Sequence, residues 1–401
     1  NHAARKVQVV KISERAQAVK PSATLAMGAR AKAMRAEGVD VLSFSAGEPD
    51  FDTPEHIKQA AVAALARGET KYTPVAGNAS LRQSVARWSS DRYGLELDSA
   101  QVIVGAGAKQ VVFNACACLL GPGEEAVIFA PYWVSYPDMF AFNGARASVI
   151  ETQANTAFLP RPEQLAQAIN ERTRLVMLNS PNNPCGVNYP RELLEAFAEI
   201  LRKHPDLVII TDDIYSELVF DGEFTGILHV APDLAPRTLI IQGVSKSYSM
   251  TGWRIGFGIG PEVLIKAMSR IQGASTSGAC SISQAAAQEA LDGPQEETAR
   301  MRTVFQARRD RMVEGLRSIE GVRVPTPGGA FYAFPDISAF YGERVKNSFE
   351  LAEHLLNTQH IATVPGGAFG NESCIRLSFA CSEDSIDRGI ERLRGGLSEL
   401  T

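Results

Sequence analysis

Gln242-Gly243-Val244-Ser245-Lys246-Ser247-Tyr248-Ser249-Met250-Thr251-Gly252-Trp253-Arg254-Ile255-Gly256 lies between two apolar runs, Thr238-Leu239-Ile240-Ile241 and Phe257-Gly258-Ile259. The first run reads as a buried strand. A lysine flanked by serines, with an arginine eight residues on, thus sits where a strand ends in a packed α/β core. A desolvated lysine sheds its proton and becomes a nucleophile toward carbonyls. An arginine with small hydroxyl side chains holds a phosphate. One lysine settles nothing, and the other parts of a site must come from the rest of the chain.

Upstream the same pattern repeats. Val102-Ile103-Val104, Ala126-Val127-Ile128-Phe129, Ala147-Ser148-Val149-Ile150, Leu175-Val176-Met177-Leu178 and Leu207-Val208-Ile209-Ile210 are strand candidates, with helical segments between most of them. Continuous apolar strands spaced by helices predict a mainly parallel sheet with helices on both faces. Ligands on such sheets bind at the strands' carboxyl ends. Before the sheet, residues 7–20 read as a mobile or loosely docked arm. A helix is expected from Ser22, an N-cap after Pro21, to about Gly38. A short strand over Val41–Ser45 and helices over 54–67 and 79–93 follow. After about residue 285 the chain is more charged and helical through Gln295–Ile319. Strands near 322–324, 330–334, 361–364 and 374–379, with helices at 347–358 and 383–399, predict a smaller α+β domain.

Bulk properties exclude several classes. With 401 residues and 45% hydrophobic content, the chain buries a large core and suits two domains or more. Forty basic against 45 acidic residues, a net charge of −5, make no case for nucleic acid or a membrane surface. Cys116, Cys118, Cys185, Cys280, Cys374 and Cys381 have neither the density of a disulfide framework nor the spacing of a zinc site. No apolar run reaches transmembrane length and no signal-peptide pattern is present, so a reducing cytoplasm is expected.

Polar groups interrupt the strand ends. Gly105-Ala106-Gly107-Ala108-Lys109-Gln110 is a tight strand–helix turn or a phosphate cradle at a helix N-terminus. Pro131-Tyr132-Trp133 offers an aromatic face for stacking or for packing under a loop. Ser180-Pro181-Asn182-Asn183-Pro184-Cys185-Gly186 is a structural Asn-Pro turn or a device that aims an amide at the sheet edge. In Thr211-Asp212-Asp213-Ile214-Tyr215, a carboxylate at a buried strand end is costly unless it meets a cation or a protonated ring nitrogen. Asp213 fits a helix cap better than Asp212. Each plain reading stands alone, but their joint occurrence at one edge, beside a lysine with a phosphate grip, is what pyridoxal 5'-phosphate (PLP) chemistry demands.

With these residues in view, the 243–256 stretch resembles the PLP-attachment motif of class I/II aminotransferases. The likeness runs along nearly the whole chain through Ala46-Gly47-Glu48-Pro49-Asp50-Phe51, Lys71-Tyr72, Pro131-Tyr132-Trp133, Pro181-Asn182-Asn183-Pro184, Asp212-Asp213-Ile214-Tyr215 and Cys374-Ile375-Arg376-Leu377-Ser378. The branch it resembles is that of bacterial aspartate aminotransferases of the thermophile and cyanobacterial type. The resemblance implies fold type I of the PLP-dependent transferases. It also implies an N-terminal arm and lid helix (1–45) packing with the small domain, a large PLP-binding domain (46–290) and a small C-terminal domain (291–401). A cytoplasmic homodimer with composite sites is implied as well.

Residue by residue, the resemblance implies that Lys246 binds PLP covalently and then moves the substrate proton. Asp212 pairs with the ring nitrogen, Asn183 and Tyr215 bond the ring oxygen, and Trp133 stacks on the ring. Gly107, Ala108 and Lys109, with Ser245 and Arg254, hold the phosphate, and Tyr72 reaches the phosphate of a partner subunit. Arg376 clamps the substrate α-carboxylate beside Gly47. Lys109, with Ser22 and Thr24 opening the lid helix, reads the distal carboxylate, since Gly273-Ala274-Ser275-Thr276-Ser277-Gly278 holds no arginine to do so. The implied reaction is aspartate plus 2-oxoglutarate to oxaloacetate plus glutamate. Aromatic, alanine or prephenate transamination, or β-elimination by a C–S lyase of this fold, are the alternatives. No metal is expected. A PLP-binding regulator would need a DNA-binding module for which the residues before Val41 are too few.

Overall fold

The computed structural model describes residues 10–21 and 23–400, with 23 and 24 as backbone alone. After a two-residue strand, β1 (Leu42–Ser43), seven strands form one sheet. They are β2 (Val102–Gly105), β3 (Glu125–Ala130), β4 (Arg146–Glu151), β5 (Thr173–Asn179), β6 (Val208–Asp212), β7 (Thr238–Gly243) and β8 (Gly256–Ile259). Their order is β2-β8-β7-β6-β5-β3-β4. Strand β8 alone runs against its neighbours. The reason is the connection: the lysine stretch between β7 and β8 contains one short 3₁₀ turn and no crossover helix, so the chain can only double back.

Alternate residues of the strands feed two separate cores. Ala126, Ile128, Leu175 and Met177 pack on one face with Val111 and Val112 of helix Ala108–Leu119 and with Leu264, Ile265 and Met268 of helix Glu262–Ser275. Val127, Phe129, Val176 and Leu178 pack on the other with Leu193, Leu194 and Phe197 of helix Arg191–Arg202. Each of these side chains larger than alanine, once buried, contributes about 1.5–3 kcal/mol. Helices thus cover both faces, as the unbroken apolar runs predict.

A third core gathers the C-terminal helices Glu296–Arg317 and Glu383–Ser398 around β9 (Tyr332–Ala333), β10 (Ile361–Ala362) and β12 (Ile375–Ser378), while Val364 of β11 (Val364–Pro365) packs in a smaller cluster with Phe334 and Phe369. Strands β11-β12-β9 make an antiparallel sheet, and β1 pairs in parallel with β10, which ties the N-terminal segment to this part of the chain. The strand expected at 322–324 is a single bridge from Arg323 to Asp336. Helix Ala23–Ala36 falls within the expected span, whereas the reading of Ser22 as its cap lies outside the described residues. Of the expected arm, Glu14–Ala18 is helical, and the Lys20 N–H donates to Asp138 Oδ1 at 3.3 Å. Among the described residues no helix is long and apolar enough to cross a membrane.

Candidate active site

Parallel pairing sets the site. Asn179 lies opposite Asp212, and Asp212 opposite Ile241, so β5, β6 and β7 deliver their last residues to one edge. A cavity of about 1240 Å³ opens there. Gly47, Ala108, Lys109, Trp133, Asn183, Asp212, Tyr215, Ser245, Lys246, Arg254 and Arg376 all line it. Gly107 stands just behind Ala108. Tyr72 does not line the cavity and is 99% exposed. Lys20 and Pro21 line it, but Ser22 and the Thr24 side chain lie outside the described residues.

The Lys246 Nζ donates to the Gly47 carbonyl at 2.5 Å. Burial, reinforced by the Arg376 and Arg254 cations, pulls its pKa down to about 8. A large share of this amine is therefore neutral near pH 8, where an ordinary lysine is almost wholly protonated. Asp212 receives the Tyr136 hydroxyl at 2.6 Å, and burial pushes its pKa up to about 6 against the lowering effect of that bond. The Asn179 side chain donates to the Asp212 carbonyl at 2.8 Å and its Oδ1 accepts from the Asn183 N–H at 3.1 Å. One amide therefore registers both strand ends.

Arg376, 2% exposed, projects from β12. Its Nη1 donates to Asn183 Oδ1 at 3.0 Å and its Nη2 to the Ser45 carbonyl at 2.8 Å, while Nε has no partner among the described residues. A buried guanidinium with spare donors and no carboxylate bonded to it is poised for an anionic ligand. Its grip on the oxygen end of the Asn183 amide leaves the nitrogen end as a donor. Tyr215 shares a hydrogen bond with Tyr332 at 2.9 Å between hydroxyls.

A cradle of free backbone donors is built where β2 enters helix Ala108–Leu119. Helix geometry leaves the N–H groups of Ala108 and Lys109 without an intrahelical acceptor. The Gly107 N–H is directed elsewhere, to the Gly105 carbonyl at 2.8 Å. What Gly107 supplies is room: at φ 87°, a Cβ there would collide with the Arg254 guanidinium. Gly256 serves the same end, because its Cβ would strike the Ala108 backbone. Arg254 is steadied by a 2.7 Å bond from Nη1 to the Thr251 carbonyl. Lys109 Nζ sits 4.9 Å from the centroid of the Trp133 ring, and burial, then Arg254, lowers its pKa.

Asp213 corrects the sequence reading. It is no helix cap, since the next turn, Ser216–Leu218, has no side-chain cap. Instead it turns inward to accept from Tyr93 at 2.7 Å and Thr211 at 2.6 Å. Burial raises its pKa to about 7. Tyr136 and Tyr332 were not foreseen as functional. Tyr136 lies in the first turn of helix Ser135–Phe142, and its sequence context does not distinguish it from a core aromatic.

The donor set fits PLP: a neutralisable lysine, a buried carboxylate, and a helix terminus sharing one cradle with an arginine that no side chain at Gly107 obstructs. No group of His, Cys, Asp and Glu among the described residues is arranged to hold a metal.

Residues 39–393 match the family described as aminotransferase class I and II. An aspartate/prephenate aminotransferase of Nitrosomonas europaea is 43% identical over 397 residues, which span 97% of this chain and 100% of that one. Its counterpart from Thermus thermophilus is 42% identical over 384 residues, 95% of this chain and 97% of that one. The crystal structure of the aspartate aminotransferase from Rhizobium meliloti has a TM-score of 0.93 at 41% identity, covering 97% and 99% of the two chains. The Thermus thermophilus aspartate aminotransferase with maleate has a TM-score of 0.90 at 40% identity, covering 96% and 99%.

Proposed function

The chain belongs to the class I and II aminotransferase family, and on that premise we propose that it transfers the amino group of aspartate to 2-oxoglutarate. The observation that carries the dicarboxylate reading is a pair of cations, Arg376 and Lys109, lining one cavity. Arg376 presents a planar fork suited to an α-carboxylate. Lys109, half-desolvated against Trp133, is a point charge for a distal carboxylate.

PLP, the cofactor of the family, supplies an electron sink for the charge left when the substrate Cα–H bond breaks. The chain's own groups do the rest. The N–H groups of Ala108 and Lys109, the Ser245 hydroxyl and Arg254 hold the phosphate, with Gly107 keeping the approach open. Asp212, ionised above about pH 6, holds a proton on the ring nitrogen. Asn183 and Tyr215 donate to the ring oxygen, and Trp133 covers the ring. Arg376 and the Gly47 backbone orient the amino acid so that its Cα–H faces Lys246. As a neutral amine Lys246 would take that proton from Cα and, as an ammonium, hold it for return. The family resemblance assigns Ser22 and Thr24, which lie outside the described side chains, to the same distal carboxylate, with the helix that follows them as a lid that would exclude water.

The 99% exposure of Tyr72 supports its use by a second copy of the chain, across a homodimer, at that copy's phosphate. Six unpaired cysteines suit a reducing cytoplasm. The aspartate/prephenate names of the relatives favour prephenate as a second amino acceptor.

Replacing Lys109 by glutamine tests the side-chain reading, because the backbone N–H stays in place. Losing a charge-assisted bond costs about 1.5–3 kcal/mol, so kcat/KM for aspartate should fall roughly 10- to 100-fold. Steady-state rates with phenylalanine and alanine should change by less than about threefold. Equal losses for all donors would refute the assignment of Lys109 to the distal carboxylate.

A further inference from the structure

Tyr332, the first residue of β9, is fully buried and lines the cavity, yet none of the steps above uses it. It touches two functional side chains at once. Its hydroxyl lies 2.9 Å from that of Tyr215, and its ring lies beneath the Arg376 guanidinium at 4.5 Å to the centroid. Pairing of Tyr332 with Ser378 across β9 and β12 brings it beside the strand that carries Arg376.

Both contacts have consequences beyond packing. A guanidinium out of water gains more from an aromatic face than an exposed one does. With Nε unpartnered among the described residues, Arg376 depends for its orientation on that ring, on the more distant Phe369 ring at 5.2 Å and on two hydrogen bonds. Burial keeps both phenols protonated, so each hydroxyl has one proton to donate. A hydroxyl that receives a hydrogen bond becomes a stronger donor in turn. When Tyr332 donates to Tyr215, the Tyr215 proton is directed at a third atom.

We infer that Tyr332 is a positioning residue with two separable parts: its ring fixes Arg376 for the substrate α-carboxylate, and its hydroxyl strengthens Tyr215 as a donor to the ring oxygen of bound PLP. This rests on the PLP reading above.

The test uses PLP-loaded wild type, Tyr332→Phe and Tyr332→Leu, read by pH titration of the bound cofactor's absorbance and by maleate binding. A ring oxygen with a weaker donor is more basic and holds the neighbouring proton to higher pH. The absorbance midpoint of Tyr332→Phe should therefore rise by about half a pH unit, with maleate affinity within about twofold of wild type. Tyr332→Leu should bind maleate about tenfold more weakly. An unmoved midpoint in Tyr332→Phe, or undiminished maleate binding by Tyr332→Leu, would overturn the inference. Should the leucine variant not fold, the phenylalanine midpoint alone decides. Wild type that takes up no PLP would instead overturn the cofactor reading.

Discussion

Lys246→Ala should lower transamination by about 10⁴-fold or more, because one side chain supplies both the covalent link and the proton carrier. Its fold should survive, since the Nζ has a single hydrogen bond among the described residues, to Gly47. PLP should still bind through the phosphate cradle, without the absorbance of a lysine-linked cofactor. Lys246→Arg should not rescue activity, as a guanidinium does not give up its proton. The depressed pKa adds a second check. Covalent attachment of PLP to wild-type apoprotein should speed up about tenfold per pH unit and level off near the lysine's pKa of about 8. A rate still climbing above pH 9, toward the ordinary lysine value of about 10.4, would mean that Lys246 is not desolvated.

Asp212→Asn should separate function from stability. Breaking a buried pair with the cofactor's ring nitrogen costs about 3–5 kcal/mol, so kcat should fall roughly 10²- to 10⁴-fold. The cofactor-free protein should respond in the opposite sense. Asp212 titrates near 6 in the folded chain, against 3.8 for the free side chain. A raised carboxyl pKa means that the folded state holds the proton more tightly. This group's contribution is therefore complete below about pH 4, is lost as pH rises through about 6, and above that leaves a penalty on the order of 3 kcal/mol. Asparagine carries no such penalty and can still accept from Tyr136. Thermal unfolding of the apoprotein at pH 8 should show the variant with the higher Tm, and the gap should close toward pH 4. A lower Tm at pH 8 would show that Asp212 is paired rather than merely buried.

Much of this was readable in the sequence because the functional side chains follow strands. A run such as Leu207–Ile210 fixes a strand end, and in a parallel sheet all such ends meet, so Asp212, Asn183 and Lys246 could be grouped without coordinates. Side chains whose apolar bodies hide a polar tip were not legible. Tyr136 reaches Asp212 from 76 residues away, and Tyr332 reaches Tyr215 from 117 residues away. In sequence both look like core aromatics. The inward turn of Asp213 toward Tyr93 is hidden for the same reason: its partner comes from a helix 120 residues earlier. Backbone donors are equally silent, and nothing in Gly105-Ala106-Gly107 shows that the Gly107 N–H bonds back to Gly105.

The most direct measurement is a single-turnover reaction of the PLP-loaded protein with aspartate, glutamate, alanine, phenylalanine and cystathionine in turn. Aspartate and glutamate should discharge the bound cofactor's visible band fastest, with one equivalent of oxaloacetate released from aspartate. Alanine and phenylalanine should trail by about tenfold or more. A band discharged faster by alanine or phenylalanine than by aspartate, or pyruvate released from cystathionine while aspartate leaves the band unchanged, would contradict an aspartate aminotransferase.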